Sequence, residues 1–300
     1  MTHPVEARLF SQQAGHQTVA ERIAAIESQV RLHPGDAQHR WALFQWLCIG
    51  REWERAIRQL QVFGQVDASN LSLVQACRDL VRAERWREDV MLGRKQPGYV
   101  IDDAPQWVQG MIDALVLTAR GEVAAADDLR EQALDAAPST PGRGGDVSFE
   151  WIADSDTRLG PVCEIMTAGS YRWLPFDEIA DWKITQPTTL VDLVWAPCSI
   201  RLHDGTVVRG FVPSRYPLPP LSTPSGIDRD ALDLGRQTMW HEVGRTAVIA
   251  VGHKCWTTSI GDVGLFDWPA CAFGAESKAS ALVPGEVPQS TPTNSGGSSL

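Results

Sequence analysis

Apolar positions recur every three to four residues through the first part of the chain and every second residue further on. Val19, Ile23, Ile26 and Val30 share one helical face and predict a helix from Thr18 to Leu32. Thr18 is placed to cap it, and Glu21 three residues on completes a capping box. Pro34, in His33-Pro34-Gly35-Asp36, cannot continue the hydrogen-bond ladder. Trp41, Leu43, Phe44, Trp46 and Leu47 spread over a wide apolar arc and predict a second helix, Ala37 to Ile49, which Gly50 breaks. Trp53, Ala56, Ile57, Leu60 and Phe63 mark a third. A helix pair joined at glycine, with a small residue (Ala56) at the crossing, is the grammar of a tetratricopeptide unit. Turn signals at Pro34, near Ala68, at Asp102-Asp103 and at Pro138 space about three repeats of ~34 residues. Gly121, Ala126 and Ala133 keep the last repeat in register. The middle one is degenerate, with Val90 at the small position and Arg94 to Pro105 loop-like. The alternative is a helical bundle without true repeats.

The pattern changes after Ser139-Thr140-Pro141-Gly142-Arg143-Gly144-Gly145, which reads as a linker. Strands are expected at Val162 to Met166, Trp182 to Ile184, Arg245 to Val251 and Thr257 to Phe266. Pro175 to Ile179 starts a short helix or turn, Thr188 and Thr189 can cap a brief helix through Val194, and Asp230 to Gln237 is a further helix. Asp204-Gly205 between two alternating runs signals a hairpin. The expected organisation is a TPR-like all-α domain over 1–138, a linker over 139–146, an α+β domain with a mostly antiparallel sheet over 147–274, and a disordered tail over 275–300, where Ser, Pro, Gly and Thr dominate.

Composition narrows the partners. The 300 residues are 43% hydrophobic, enough for a sizeable core, and carry a net charge of -10. That balance argues against nucleic acid and anionic membrane as partners, since both need dense Lys and Arg contacts. The first residues lack a basic segment followed by an apolar run, so no signal peptide is expected, and no apolar run reaches the ~18 residues of a membrane span. The cysteines (Cys48, Cys77, Cys163, Cys198, Cys255, Cys271) are widely spaced and read as buried, reduced thiols of a cytoplasmic protein.

Candidate chemistry is sparse. His241-Glu242-Val243-Gly244-Arg245 opens like a zincin helix, but Arg245 stands where the second histidine is needed, so no metal site is expected. His253-Lys254-Cys255 with His241 could form a thiolate–imidazole pair; the plainer reading is a polar strand end. Asp154 and Asp156 could act as paired carboxylates, or serve a turn or helix cap. No phosphate-binding loop or nucleophile elbow is present, and no cofactor is expected. The twelve tryptophans read mostly as core, the remainder as interface candidates.

The densest run of aromatics beside prolines and glycines extends from Arg158 to Tyr216. It contains Arg158, Gly160, Pro161 and Glu164, then Trp173, Pro175 and Phe176, then Asp192, Trp195 and Pro197, and last Pro213 and Tyr216. In this order the segments resemble the ImpE/TagJ family (also called SciE), accessory proteins of bacterial type VI secretion. The resemblance runs from about Val19 to Phe266. It implies a helical, TPR-like N-terminal domain, a C-terminal α/β domain and a non-catalytic adaptor. The adaptor would bind an N-terminal helix of the small sheath subunit and have a link to the ClpV disassembly ATPase. The Ser/Pro-rich tail and His253-Lys254-Cys255 depart from the family pattern.

In the tetratricopeptide register, one inward face carries Gln38, Trp41, Gln45 and Cys48, and the equivalent face of the last repeat carries Val108, Met111, Leu115 and Thr118. An apolar groove of this kind would accept an amphipathic helix. The alternative is that these residues pack within the domain. A rival function is a small-molecule or enzymatic site in the C-terminal domain, which requires Arg158, Glu164, Arg172, Asp192 and Tyr216 to converge on a pocket.

Overall fold

The structure is a computed structural model that describes residues 17–218 and 228–274. The expectations of no signal peptide and of a disordered 275–300 tail fall outside the described residues. The helices come first: α1 (Val19–Leu32), α2 (Ala37–Ile49), α3 (Trp53–Val66), α4 (Leu71–Met91), α5 (Gln106–Ala119) and α6 (Val123–Ala136). Thr18 caps α1 through the expected capping box with Glu21. Asp36 caps α2 by accepting from the backbone of Gln38 and His39. The middle unit is not a helix pair. α4 runs unbroken for 21 residues, and the chain then returns through a two-residue strand, β1 (Gly98–Tyr99), that pairs parallel with β6 (Ser170–Pro175). Nothing inside Leu71–Met91 breaks a helix until Gly93, whose φ of +65° turns the chain.

The remaining strands are β2 (Gly142–Gly144), β3 (Val147–Phe149), β4 (Ile152–Asp154), β5 (Val162–Thr167), β7 (Ile179–Ile184), β8 (Trp195–Leu202), β9 (Val207–Pro213), β10 (Arg215–Tyr216), β11 (Thr238–Val243), β12 (Ala247–His253), β13 (Cys255–Thr258), β14 (Gly261–Gly264) and β15 (Ala270–Phe273), with a short helix α7 (Arg229–Asp233) before β11. Nine strands form one sheet in the order β1-β6-β5-β9-β8-β7-β15-β2-β3, antiparallel except at β1–β6. Two three-stranded sheets, β10-β12-β11 and β14-β13-β4, complete an α+β arrangement. The Asp204-Gly205 signal is a tight hairpin between β8 and β9, with Gly205 at φ +88°.

The segment expected as linker contributes β2, paired with both β15 and β3. Its glycines serve packing. A Cβ at Gly144 would lie 2.2 Å from the Trp268 ring, and one at Gly142 2.5 Å from the Phe149 ring.

Alternate residues of β5 face opposite ways. Val162 and Met166 join a core shared with α1 to α5 and with Trp173 and Trp195, while Cys163 and Ile165 join a second core around Phe176, Trp182, Trp256 and Phe273. Helices and large sheet therefore share one interior. Trp46, Trp53, Trp107, Trp173, Trp182, Trp195, Trp256 and Trp268 are buried, whereas Trp86, Trp151 and Trp240 are exposed.

The sequence His241 to Arg245 is the end of β11 and its turn into β12. The turn seats on α6: Asp127 accepts from Arg245 N (2.7 Å), Thr246 N (3.0 Å) and Thr246 Oγ1 (2.7 Å). Gly244 has φ +69°, and a Cβ there would lie 2.4 Å from Asp127 Oδ2. The Arg245 amide, with Thr246, lowers the Asp127 carboxyl to about 2 from an ordinary 3.8. A folded pKa below the unfolded one gives stability that is complete above 3.8 and lost as pH falls through about 2. Asp127→Ala strands two amides and is expected to cost about 2 kcal/mol in urea denaturation. It should also remove this contribution to the acid limb of stability between pH 4 and 2; an unchanged acid limb would refute the role.

Candidate functional site

The Arg158–Tyr216 motifs meet the helical layer at a buried network of charges. Residues three apart share a helical face, so Glu84 and Arg87 both look from α4 toward the sheet. Glu164 stands between Val162 and Met166 on the sheet face that meets them. The Arg87 guanidinium grips it with two bonds, Nε to Oε1 at 2.7 Å and Nη2 to Oε2 at 2.9 Å. Lys254, in the β12–β13 connection, places Nζ 2.7 Å from Glu164 Oε2 and also pairs with Asp154. Tyr171 Oη donates to Glu164 Oε1 (2.6 Å), and Trp173 Nε1 donates to Tyr171 Oη (2.7 Å). Glu84 accepts from Arg87 (3.0 Å) and from Trp195 Nε1 (2.9 Å). Tyr216 Oη lies 2.7 Å from Asp154 Oδ1, and Asp156 holds Arg158 Nε at 2.8 Å.

Burial would raise the Glu164 carboxyl, but Arg87 and Lys254 outweigh it and hold it far below its ordinary range. Asp154 goes the other way: burial, only partly offset by Lys254, pushes it up to about 6. Burial and then the neighbouring carboxylates push the Tyr171 and Tyr216 hydroxyls well up, so they stay protonated donors. The side chains of Arg87, Glu164, Asp154 and Lys254 have no exposed surface. The arrangement can lock two layers together; it offers no reacting atom to a molecule in solvent.

A further buried cation, Arg215, closes the helical end of the interface. Arg215 donates to the carbonyls of Ile49 (2.7 Å) and Cys48 (2.6 Å) in the last turn of α2, where the Cys48 carbonyl also accepts from Arg51 N (3.1 Å). Burial lowers its pKa to about 9, with Arg51 adding to the effect. Arg51, at φ +60°, joins the same cluster through Asp233 (3.0 Å) and the Tyr216 carbonyl (2.9 Å).

Of the rival set, Arg158, Glu164 and Tyr216 converge, but in a filled interior. Arg172 is elsewhere, donating to the Tyr99 carbonyl (2.6 Å) and so holding β1. Asp192 accepts from the amides of Thr188 and Thr189, both at 2.8 Å, which reverses the expected capping by the threonines. A shallow cleft of about 570 Å³ over β2, β7 and β15 is lined by Arg143, Asp181, Lys183 and Arg201 and by none of the converging residues. The other motif positions build turns and core. Gly160 (φ +54°) packs against Met111 and Leu134, the Pro161 and Pro197 carbonyls accept from Phe176 and Thr185, and Phe176 meets Trp256 edge to face at 5.5 Å. Trp195 lies 5.9 Å from Trp53, Pro175 leads into a 3₁₀ turn, and Pro213 pairs with Trp195.

The expected groove faces are distributed differently. Gln45, Cys48, Val108, Met111 and Leu115 are buried in the shared core. Thr118 is half-buried and bonded to Arg130, Trp41 is half-buried against Phe44 and Phe63, and Gln38 is exposed. As the layers stand, the sheet domain closes over the deeper members.

Arg87, Glu84, Lys254 and Arg215 were not legible as site residues. Lys254 sits in the segment read as a polar strand end, and Asp154 and Asp156 in one read as a turn or cap. A usable signal was present in Glu84-x-x-Arg87, an ion pair flanked by Leu80, Val81, Val90 and Met91 on a helix.

The ImpE protein family model matches residues 146–272, the stretch that supplies Glu164, Tyr216 and Lys254. Over 247 residues the chain is 40% identical to the type VI secretion system accessory component TagJ of Pseudomonas aeruginosa, covering 82% of this chain and 84% of that one. The chain belongs to the ImpE/TagJ family of type VI secretion accessory proteins. A crystal structure of a Vibrio parahaemolyticus protein, 22% identical, superposes with a TM-score of 0.77 over 87% of this chain and 96% of that one, and shows the same fold. Among the described residues of this ImpE/TagJ member, no helix is long and apolar enough to cross a membrane.

Because Glu164 is the carboxylate that Arg87 and Lys254 share, Glu164→Gln should cost about 3–5 kcal/mol, leaving Arg87 with Glu84 alone and Lys254 with Asp154 alone. Asp154→Asn keeps that charge and an acceptor for Tyr216, and should cost about 1–2 kcal/mol. Equilibrium urea unfolding of both variants checks the order; the reverse order would place the structural charge on Asp154.

Proposed function

We propose that this ImpE/TagJ member is a non-catalytic cytoplasmic adaptor that binds an N-terminal helix of the small contractile-sheath subunit and helps the ClpV ATPase disassemble the sheath. Likeness to an accessory component over most of both chains supports the setting. Recognition by binding is supported by a site whose charges are fully consumed inside the protein. The helix pairs α2–α3 and α5–α6 are read as TPR-like units, and the helical layer as the gripping half.

One observation carries the choice of surface. α1 ends, α3 ends and α4 begins at the same end of the helical layer, and there Leu32 (69% exposed), Leu71 (57%), Val66 and Leu73 lie open. Trp41, in the early turns of α2 and packed at a tilt against Phe63 of the last turn of α3, belongs to that end too. Several apolar anchors around an aromatic suit the apolar stripe of an amphipathic helix. Of the groove residues expected from sequence, Trp41 and Gln38 are the ones this surface retains.

The experiment is a titration of the purified chain with the N-terminal helical peptide of the cognate small sheath subunit, repeated with Trp41→Ala and with Leu71→Asp. Binding weakened about tenfold or more by either, with unchanged thermal unfolding for Leu71→Asp, is the expected result. Binding indifferent to both would move the site off this end, and no binding to any sheath component would end the adaptor reading.

A further inference from the structure

The three-stranded sheet β10-β12-β11 ends on β11, six residues long and in unbroken register with β12 from Thr238↔Gly252 to Val243↔Ala247. His253 N donates to the Gln237 carbonyl, at the start of this ladder. Bonding alternates along an antiparallel pair, so the odd-numbered residues of β11 bond to β12 and the backbone N–H and C=O of Thr238, Trp240 and Glu242 point outward. The even-numbered residues of β12 agree: Ala250 N turns away from β11 to Asp156, and Val248 to Thr157. Among the described residues, nothing bonds to the outward backbone groups of β11. Exposed edges are ordinarily blunted by lysine, proline or a bulge. β11 has none of these, and it carries Trp240 with 43% of its surface exposed.

We propose that β11 is a self-association edge: two copies of the chain pair antiparallel through it about a two-fold axis at Trp240, making one six-stranded sheet. The occupant follows from charge and register. Outward-pointing residues must face outward-pointing residues, and with Trp240 opposite its counterpart, Thr238 faces Glu242. Exposed Arg236, in the bend two residues before Thr238, then lies beside the diagonal position to Glu242 of the other copy, which a long side chain can reach. Within one chain, neither Arg236 nor Glu242 has an ion-pair partner among the described residues. The two-fold supplies both pairs at once, opposes no like charges, and covers both tryptophans. Interfaces below about 1,200 Å² are transient, so a six-residue ladder associates only at raised protein concentration.

The test is sedimentation equilibrium of the full chain across a wide concentration range. The expected result is a mass rising toward two chains, association weakened at least about tenfold by Trp240→Lys, and again by Glu242→Arg or Arg236→Glu alone, with association restored when both charge reversals are combined. A monomer at every concentration would overturn the proposal. So would a dimer indifferent to these substitutions, or a monomer whose Thr238, Trp240 and Glu242 amides resist hydrogen exchange, since the last would mean the chain covers its own edge.

Discussion

The architecture depends on a carboxylate that has no access to water. Glu164 lies in the large sheet on the face that meets the helices, and a buried charge there is tolerable only if matched on the spot. The match comes from two places far apart in sequence, Arg87 in the longest helix and Lys254 between two late strands. Neither cation alone accounts for the neighbours: Lys254 also serves Asp154, and Arg87 also serves Glu84. The helical half, the large sheet and the small sheets are thereby tied to one another. Replacing the whole set by apolar residues could leave stability little changed, because desolvation cancels much of the attraction. The distinctive consequence is geometric. An apolar interface tolerates sliding, whereas a bidentate guanidinium with a second cation on the same carboxylate is satisfied in one docking. The Arg215 guanidinium repeats the device at the end of α2, where it completes a helix that the helical half leaves unfinished.

What could be read in advance separates local from non-local causes. The first three helices, the Thr18 capping box and the Asp204-Gly205 hairpin were legible, because each is written in consecutive residues at one period. The middle helix pair is absent because evenly spaced turn signals do not supply a break inside Leu71–Met91, where no residue interrupts a helix. Gly142 and Gly144 look like flexibility in a string of small residues, yet they are small because Trp268 and Phe149 occupy the space a side chain would need. That cause lies on other strands and leaves no mark beside the glycines. Lys254 is the same case at the level of charge. A lysine between histidine and cysteine reads as a solvated strand end until its partners, Asp154 and Glu164, are brought to it by the fold.

The groove residues show a different limit. Periodicity at Trp41, Cys48, Val108, Met111 and Leu115 reports an apolar helical face and not what covers it. In a free-standing repeat array the concave face waits for a ligand. Here the chain supplies a sheet domain of its own, and the deeper residues pack on it. Gln38 and Trp41, near the outer end of the layer, and Thr118 keep contact with solvent.

The interlock also decides how two separate surfaces would work together. α7 ties the small sheet to the helical layer, through Asp233 with Arg51 and through Asp230 with the Val19 amide at 3.0 Å. The open end of the helices and the open edge of β11 therefore sit on one connected body. Pairing through β11 would fix two helical ends in a constant relation, with no linker to relax. For a single free helix the second end adds nothing. A contractile sheath repeats its subunits at fixed intervals, and there the second engagement becomes intramolecular, so modest affinity at each end multiplies wherever the two spacings agree and is lost where they do not. On that reasoning, paired helical ends of modest affinity would favour a ligand presented in a repeating array over the same ligand presented singly.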